Sequence, residues 1–109
     1  MLIPSPVLSV SLVRMTKVTV HVYATLGELF KSKHIELRTR AKTVKELIDF
    51  LSAQYNPQFK ELLIDANTGC VRRSYKILVN GRDIDFLDKL DTRILDGDGV
   101  AFFPPVGGG

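Results

Sequence analysis

A single cysteine, Cys70, occurs in the whole chain, so no intramolecular disulfide can brace the fold, which fits a reducing, cytoplasmic setting. Tryptophan is absent and aromatic residues make up only 8% of the chain, so the core must come mainly from Val, Leu and Ile. No apolar run approaches the roughly 20 residues that a membrane-spanning helix needs, and no membrane partner is expected. A glycine-rich phosphate loop and a nucleophile elbow are both missing. The two histidines, His21 and His34, lie in separate segments without a Cys or carboxylate at metal-ligand spacing, and no metal is expected. Asp96-Gly97-Asp98-Gly99 lacks the later ligands and closing Glu of a calcium loop. Cys70 follows a turn glycine and reads as an idle thiol. With no acid–base or nucleophile pair in view, a free-standing enzyme is not expected.

The charge is nearly balanced: fifteen Lys and Arg against twelve Asp and Glu give +3. A nucleic-acid binder gathers its basic residues on one face or in one tract, whereas these alternate with acids, so nucleic acid is not an expected partner. The densest basic pairs, Arg38 with Arg40 and Arg72 with Arg73, read as solvated charge. An RNA-binding module using Arg72 and Arg73 is the competing reading from another class; it requires steeply salt-dependent affinity that survives loss of the chain end.

A length of 109 residues fits one domain. Residues 1–14 carry an apolar, Ser- and Pro-interrupted run whose only basic residue, Arg14, follows it, the wrong order for a secretory signal. They are expected to be a poorly ordered extension. The domain is expected over 15–106, with 107–109 a flexible glycine tail.

Lys17 to Ala24 alternates Val18, Val20 and Val22 with Thr19, His21 and Tyr23, the period of a half-buried strand. Thr25-Leu26-Gly27-Glu28 reads as a short connection, and Ile35 to Thr39 as a second strand completing a hairpin. Thr43-Val44-Lys45-Glu46 has capping-box spacing, with Glu46 expected to reach back to the Thr43 amide. Val44, Leu47, Ile48, Leu51 and Tyr55 then recur along one helical face, and Asn56-Pro57 stops the helix. Phe59 and Leu62 to Ile64 allow a short helical turn. Tyr75 to Val79 is a strand ending in the tight-turn dipeptide Asn80-Gly81. Arg82 to Phe86 is a short strand or connector, and Val100 to Phe103 the last strand, stopped by Pro104-Pro105. One main helix among these strands needs one apolar sheet face to cover. The expected class is α+β, a β-grasp: a mixed sheet of four to five strands packed on that helix.

The remaining feature is the chain end, Phe102-Phe103-Pro104-Pro105-Val106-Gly107-Gly108-Gly109. The diproline favours an extended exit, and three glycines at about 3.3–3.6 Å each reach roughly 10 Å beyond Val106, with no side chain to obstruct a narrow channel. Of Phe102 and Phe103, alternation puts one in the core and leaves the other to meet a partner, without deciding which.

This ending, with Asp96-Gly97-Asp98-Gly99-Val100 before it and the Val79-Asn80-Gly81 turn, resembles the MoaD/ThiS-like family of ubiquitin-like sulfur carriers. The resemblance is strongest to the molybdopterin synthase small subunit of archaeal type and covers about 15–109. It implies that a ubiquitin-activating-type enzyme consumes ATP to adenylate the Gly109 carboxylate. A sulfur donor protein then converts the end to a thiocarboxylate. The molybdopterin synthase large subunit would accept that sulfur for molybdenum cofactor biosynthesis, with Phe102, Phe103, Pro104, Pro105, Val106, Gly107 and Gly108 binding the partner. The chain would be a sulfur-donating carrier with no permanently bound cofactor. The alternative implied by the same likeness is a lysine-linked modifier, or a carrier for tRNA thiolation. Gly107 departs from the pattern, which usually has only the pair matched by Gly108 and Gly109.

Overall fold

The computed structural model describes residues 15–105. The expectations for 1–14 and for Val106, Gly107, Gly108 and Gly109 lie outside the described residues.

The alternating valines form β1, Thr16–Val22, with Val18, Val20 and Val22 fully buried. Antiparallel to it runs β2, His34–Thr39, in a register from Thr16 opposite Thr39 to His21 opposite His34. The link between them differs from expectation. It is a helix, α1, Ala24–Phe30. Leu26, Leu29 and Phe30 sit at three- and four-residue spacing; Leu26 is fully buried and the other two pack against the core. Seven residues with Gly27 at their centre are too short for the sequence periodicity to stand out, and tertiary packing supplies what propensity does not.

The main helix, α2, covers Val44–Gln54 and buries Val44, Leu47, Ile48 and Leu51. Its cap is half as expected. The Glu46 amide donates to Thr43 Oγ1 (3.2 Å), but the Glu46 carboxylate accepts from the amide of Lys42 (2.8 Å), one residue earlier than a strict capping box requires. Tyr55 lies just past the helix and is 47% exposed, so it leaves the core face assigned to it. The short turn after Pro57 is a helix, α3, Gln58–Leu63, whose Phe59 and Leu63 are buried. Its Lys60 amide donates to Ser52 Oγ of α2 at 2.8 Å, which satisfies a nearly buried hydroxyl.

Asn80-Gly81, with φ of 52° and 84°, makes the tight turn between β3, Lys76–Val79, and β4, Arg82–Asp83. Short 3-10 turns at Ile84–Phe86 and Lys89–Asp91 follow. The last strand, β5, Gly99–Phe103, pairs parallel with β1 and antiparallel with β3. The sheet order is β2-β1-β5-β3-β4, which is the expected β-grasp with five strands. Ile77, Val79, Val100 and Phe102 complete the core from the sheet side.

The two turn motifs hold each other. Asn80 Oδ1 accepts from the Gly99 amide (2.9 Å), and Asn80 Nδ2 donates to Asp98 Oδ1 (2.9 Å). The other carboxylate oxygen of Asp98 accepts from the Leu95 amide (2.8 Å), while Asp96 accepts from the Lys17 amide (2.8 Å). Asparagine suits this position because its short polar side chain bonds locally and tolerates a left-handed backbone. Asn80→Ala removes both side-chain bonds and strains the turn, so it should cost about 1–3 kcal/mol. Asn80→Gly should cost less, because it relieves the backbone; urea unfolding midpoints of the two variants give the comparison.

Candidate functional site

The chain end leaves the domain from β5, the middle strand of the sheet, laddered on both edges. Alternation along it now has a definite sense: Val100 and Phe102 are fully buried, while Ala101 and Phe103 lie on the other face and are partly exposed. Phe102 meets Phe59 edge-on at 5.1 Å, Phe59 meets Phe30 at 4.9 Å, and Phe30 meets Tyr55 at 5.5 Å. This aromatic series ties the last strand to α3 and α1. Pro104 is buried and Pro105 half-buried, so the described chain stays against the body to its end.

Phe103 has a partner that the sequence did not reveal. Tyr23, just past the end of parallel β1, stacks on it at 4.5 Å with rings only 8° from coplanar. Tyr23 is 41% exposed, so the pair forms an aromatic platform open to solvent at the root of the tail. On the other side of Phe103, in register across the ladder, stands Lys76. Its Nζ lies 3.4 Å from Asp85 and 3.6 Å from Asp83. The hydrogen bond to Asp85, then the charges of Asp83 and Asp85, raise its pKa above the ordinary lysine value, so it stays a cation. A stacked aromatic pair flanked by a neutralised ammonium can present area and orientation to a partner. It offers no nucleophile or general base.

The other sequence candidates separate from this site. The carboxylates of Asp96 and Asp98 are occupied by backbone amides and Asn80, which explains the Asp-Gly repeat as a structural clamp. Arg72 donates to the Glu61 carbonyl (3.3 and 3.4 Å), and the cleft it shares with Arg73, Lys76 and Lys89 is also lined by Asp85, Asp88 and Asp91. That mixed lining does not gather positive charge for a phosphate backbone. Cys70 is exposed. Among the described residues, no group of three or more His, Cys, Asp or Glu side chains is placed to hold a metal ion, and no helix is long and apolar enough to cross a membrane. His21 and His34 are brought together as cross-strand neighbours, a juxtaposition hidden by the helix between their strands.

Comparison with known proteins gives concordant results. The ThiS family profile matches residues 20–109, through the last glycine. Small archaeal modifier protein 3 of Haloferax volcanii is 36% identical over 88 residues, covering 80% of this chain and 92% of that one. The Amycolatopsis orientalis BexX/CysO complex contains a chain superposing with a TM-score of 0.73 at 28% identity, over 84% of this chain and 99% of that one. A candidate molybdopterin converting factor, subunit 1, from Pyrococcus furiosus superposes at 0.63, also 28% identical, over 84% and 99%.

The two phenylalanines should separate in a stability assay. Phe102→Ala opens a cavity in the core and should cost about 3–5 kcal/mol, whereas Phe103→Ala loses a surface stack worth about 0.5–1.5 kcal/mol. Equal losses in chemical denaturation would contradict the assignment of faces.

Proposed function

The chain belongs to the ThiS family, and from that premise we propose that it is a sulfur carrier and protein modifier whose working group is the carboxylate of Gly109. The observation that carries this reading is the family match running through residue 109, on a chain whose last strand is laddered on both edges. A carboxylate is a poor acyl donor. Adenylation by a ubiquitin-activating-type partner, at the expense of ATP, makes it a mixed anhydride with a good leaving group. Attack by the outer sulfur of a donor protein's persulfide expels AMP and gives an acyl disulfide. A second thiol then cleaves its S–S bond, which frees the thiocarboxylate and leaves a disulfide on the donor side. Attack by a lysine amine expels AMP and gives an isopeptide. The activating partner supplies the catalytic residues, and this chain supplies the reacting end.

The modifier and general sulfur-carrier branch is favoured by the likeness to the Haloferax protein, a small archaeal modifier by name. A second reading, sulfur donation to a pterin precursor of the molybdenum cofactor with a molybdopterin synthase large subunit, is favoured by the Phe-Phe-Pro-Pro-Val ending and the Pyrococcus structure. In either branch the Tyr23–Phe103 platform and Pro104, Pro105 and Val106 meet the partner, and Gly107 and Gly108 lead Gly109 to the nucleotide. A copurifying large subunit favours the cofactor branch; isopeptide-linked adducts favour the modifier branch.

Incubation with activating enzyme, ATP and sulfur donor should raise the intact mass by the difference between sulfur and oxygen. Removal of Gly109 should abolish that change, and a truncated chain that remains fully active overturns the reading. Phe103→Ala should weaken the complex with the activating enzyme by about tenfold or more, as expected for an aromatic anchor, with little loss of fold.

A further inference from the structure

We propose that His21 and His34 form a two-donor site for a borderline transition-metal dication, Zn²⁺ or Ni²⁺, on the open face of the sheet. This inference stands apart from the carrier reading and does not rest on it.

The two residues are direct register partners in the β1–β2 ladder, and their rings lie 5.8 Å apart, inclined by 26°. His21 is half-buried and His34 exposed, so both imidazoles are reachable from solvent. An imidazole nitrogen binds zinc at about 2.0–2.1 Å, which places the ion roughly 3 Å from each ring centre and allows two rings on one ion to sit about 5–6 Å apart. The observed separation of the ring centres falls within that reach. β1 is laddered to β2 on one edge and to β5 on the other, and His34 opens the edge strand β2. Preorganisation of this kind lowers the ordering cost of holding two donors.

The surrounding charge is mixed. Glu36 lies one same-face position along β2, opposite Thr19, and the cations Lys17 and Arg38 are register partners one further step away. No third side chain among the described residues is placed to ligate, so water fills the remaining positions. Imidazole suits Zn²⁺ and Ni²⁺ among divalent ions, whereas Mg²⁺ and Ca²⁺ prefer oxygen donors. His21 is also in register with Ala101 of β5, and one same-face step beyond lie Tyr23 and Phe103. A bound ion therefore adds charge to the face of the sheet that carries the root of the tail.

The test uses the full-length, untagged chain carrying Cys70→Ser, which removes the exposed thiol as a competing soft ligand. Zn²⁺ and Ni²⁺ are titrated by calorimetry, with histidine ring signals followed by NMR. Expected are one ion per chain, perturbation of both rings, and a melting temperature that rises with ion concentration. One ion per two chains also supports the site, with the same donors shared across a dimer. His21→Gln and His34→Gln, both surface replacements, should each weaken binding by about tenfold or more, because one imidazole alone cannot chelate. Affinity unchanged in the double variant, perturbation of a single ring, or no binding at millimolar ion overturns the proposal.

Discussion

Everything about the chain end depends on how firmly its last strand is held. β5 is the central strand, bonded to β1 on one side and β3 on the other. Its start is locked by the Asn80–Asp98 clamp, and its far end is sunk into the core through Phe102. A strand so placed cannot fray without breaking two ladders and an aromatic series together. The described chain therefore ends, at Pro105, just past a firmly held strand, which lowers the ordering cost for a partner that binds there.

The two faces of that strand do different work. Inward, Val100 and Phe102 join the valines of β1 and the apolar stripe of α2 in one core. Outward, Ala101 and Phe103 join His21, Tyr23 and Lys76 on the face that none of the described helices covers. The outer face carries modest apolar area and charges that neutralise one another locally, as Lys76 does with Asp83 and Asp85. Such a surface suits partners that bind and leave, since weak transient contacts bury less area than permanent ones.

Much of this was legible in the sequence wherever a local pattern carried the signal. Period-two valines marked β1, the Thr43 cap and three-four spacing marked α2, and Asn80-Gly81 marked the hairpin. Helix α1 escaped notice because seven residues around a glycine become helical only when Leu26 is buried by distant elements. The choice between Phe102 and Phe103 escaped for a related reason: alternation gives parity but not sign, and the sign comes from which face α2 and α3 cover. Tyr23 against Phe103 and His21 against His34 are products of register between strands separated by other elements, a quantity that no single segment contains.

On the carrier reading, the lack of a nucleophile or general base among Phe103, Tyr23, Pro104 and Pro105 themselves follows from the chemistry. A terminal carboxylate must be activated, loaded and unloaded by different proteins in turn, and a nucleophile or base fixed beside it would risk discharging the anhydride to water. The safest root is chemically inert and mechanically firm. Phe103, Tyr23 and the two prolines meet that description, as none of them carries a nucleophile or base that works near neutral pH. Specificity must then reside in the body, where each successive partner reads the same open face before it engages the chain end. Holding the body raises the effective concentration of the end at the partner's active centre, and that gain is largest when the short connection between them starts from a strand that does not move.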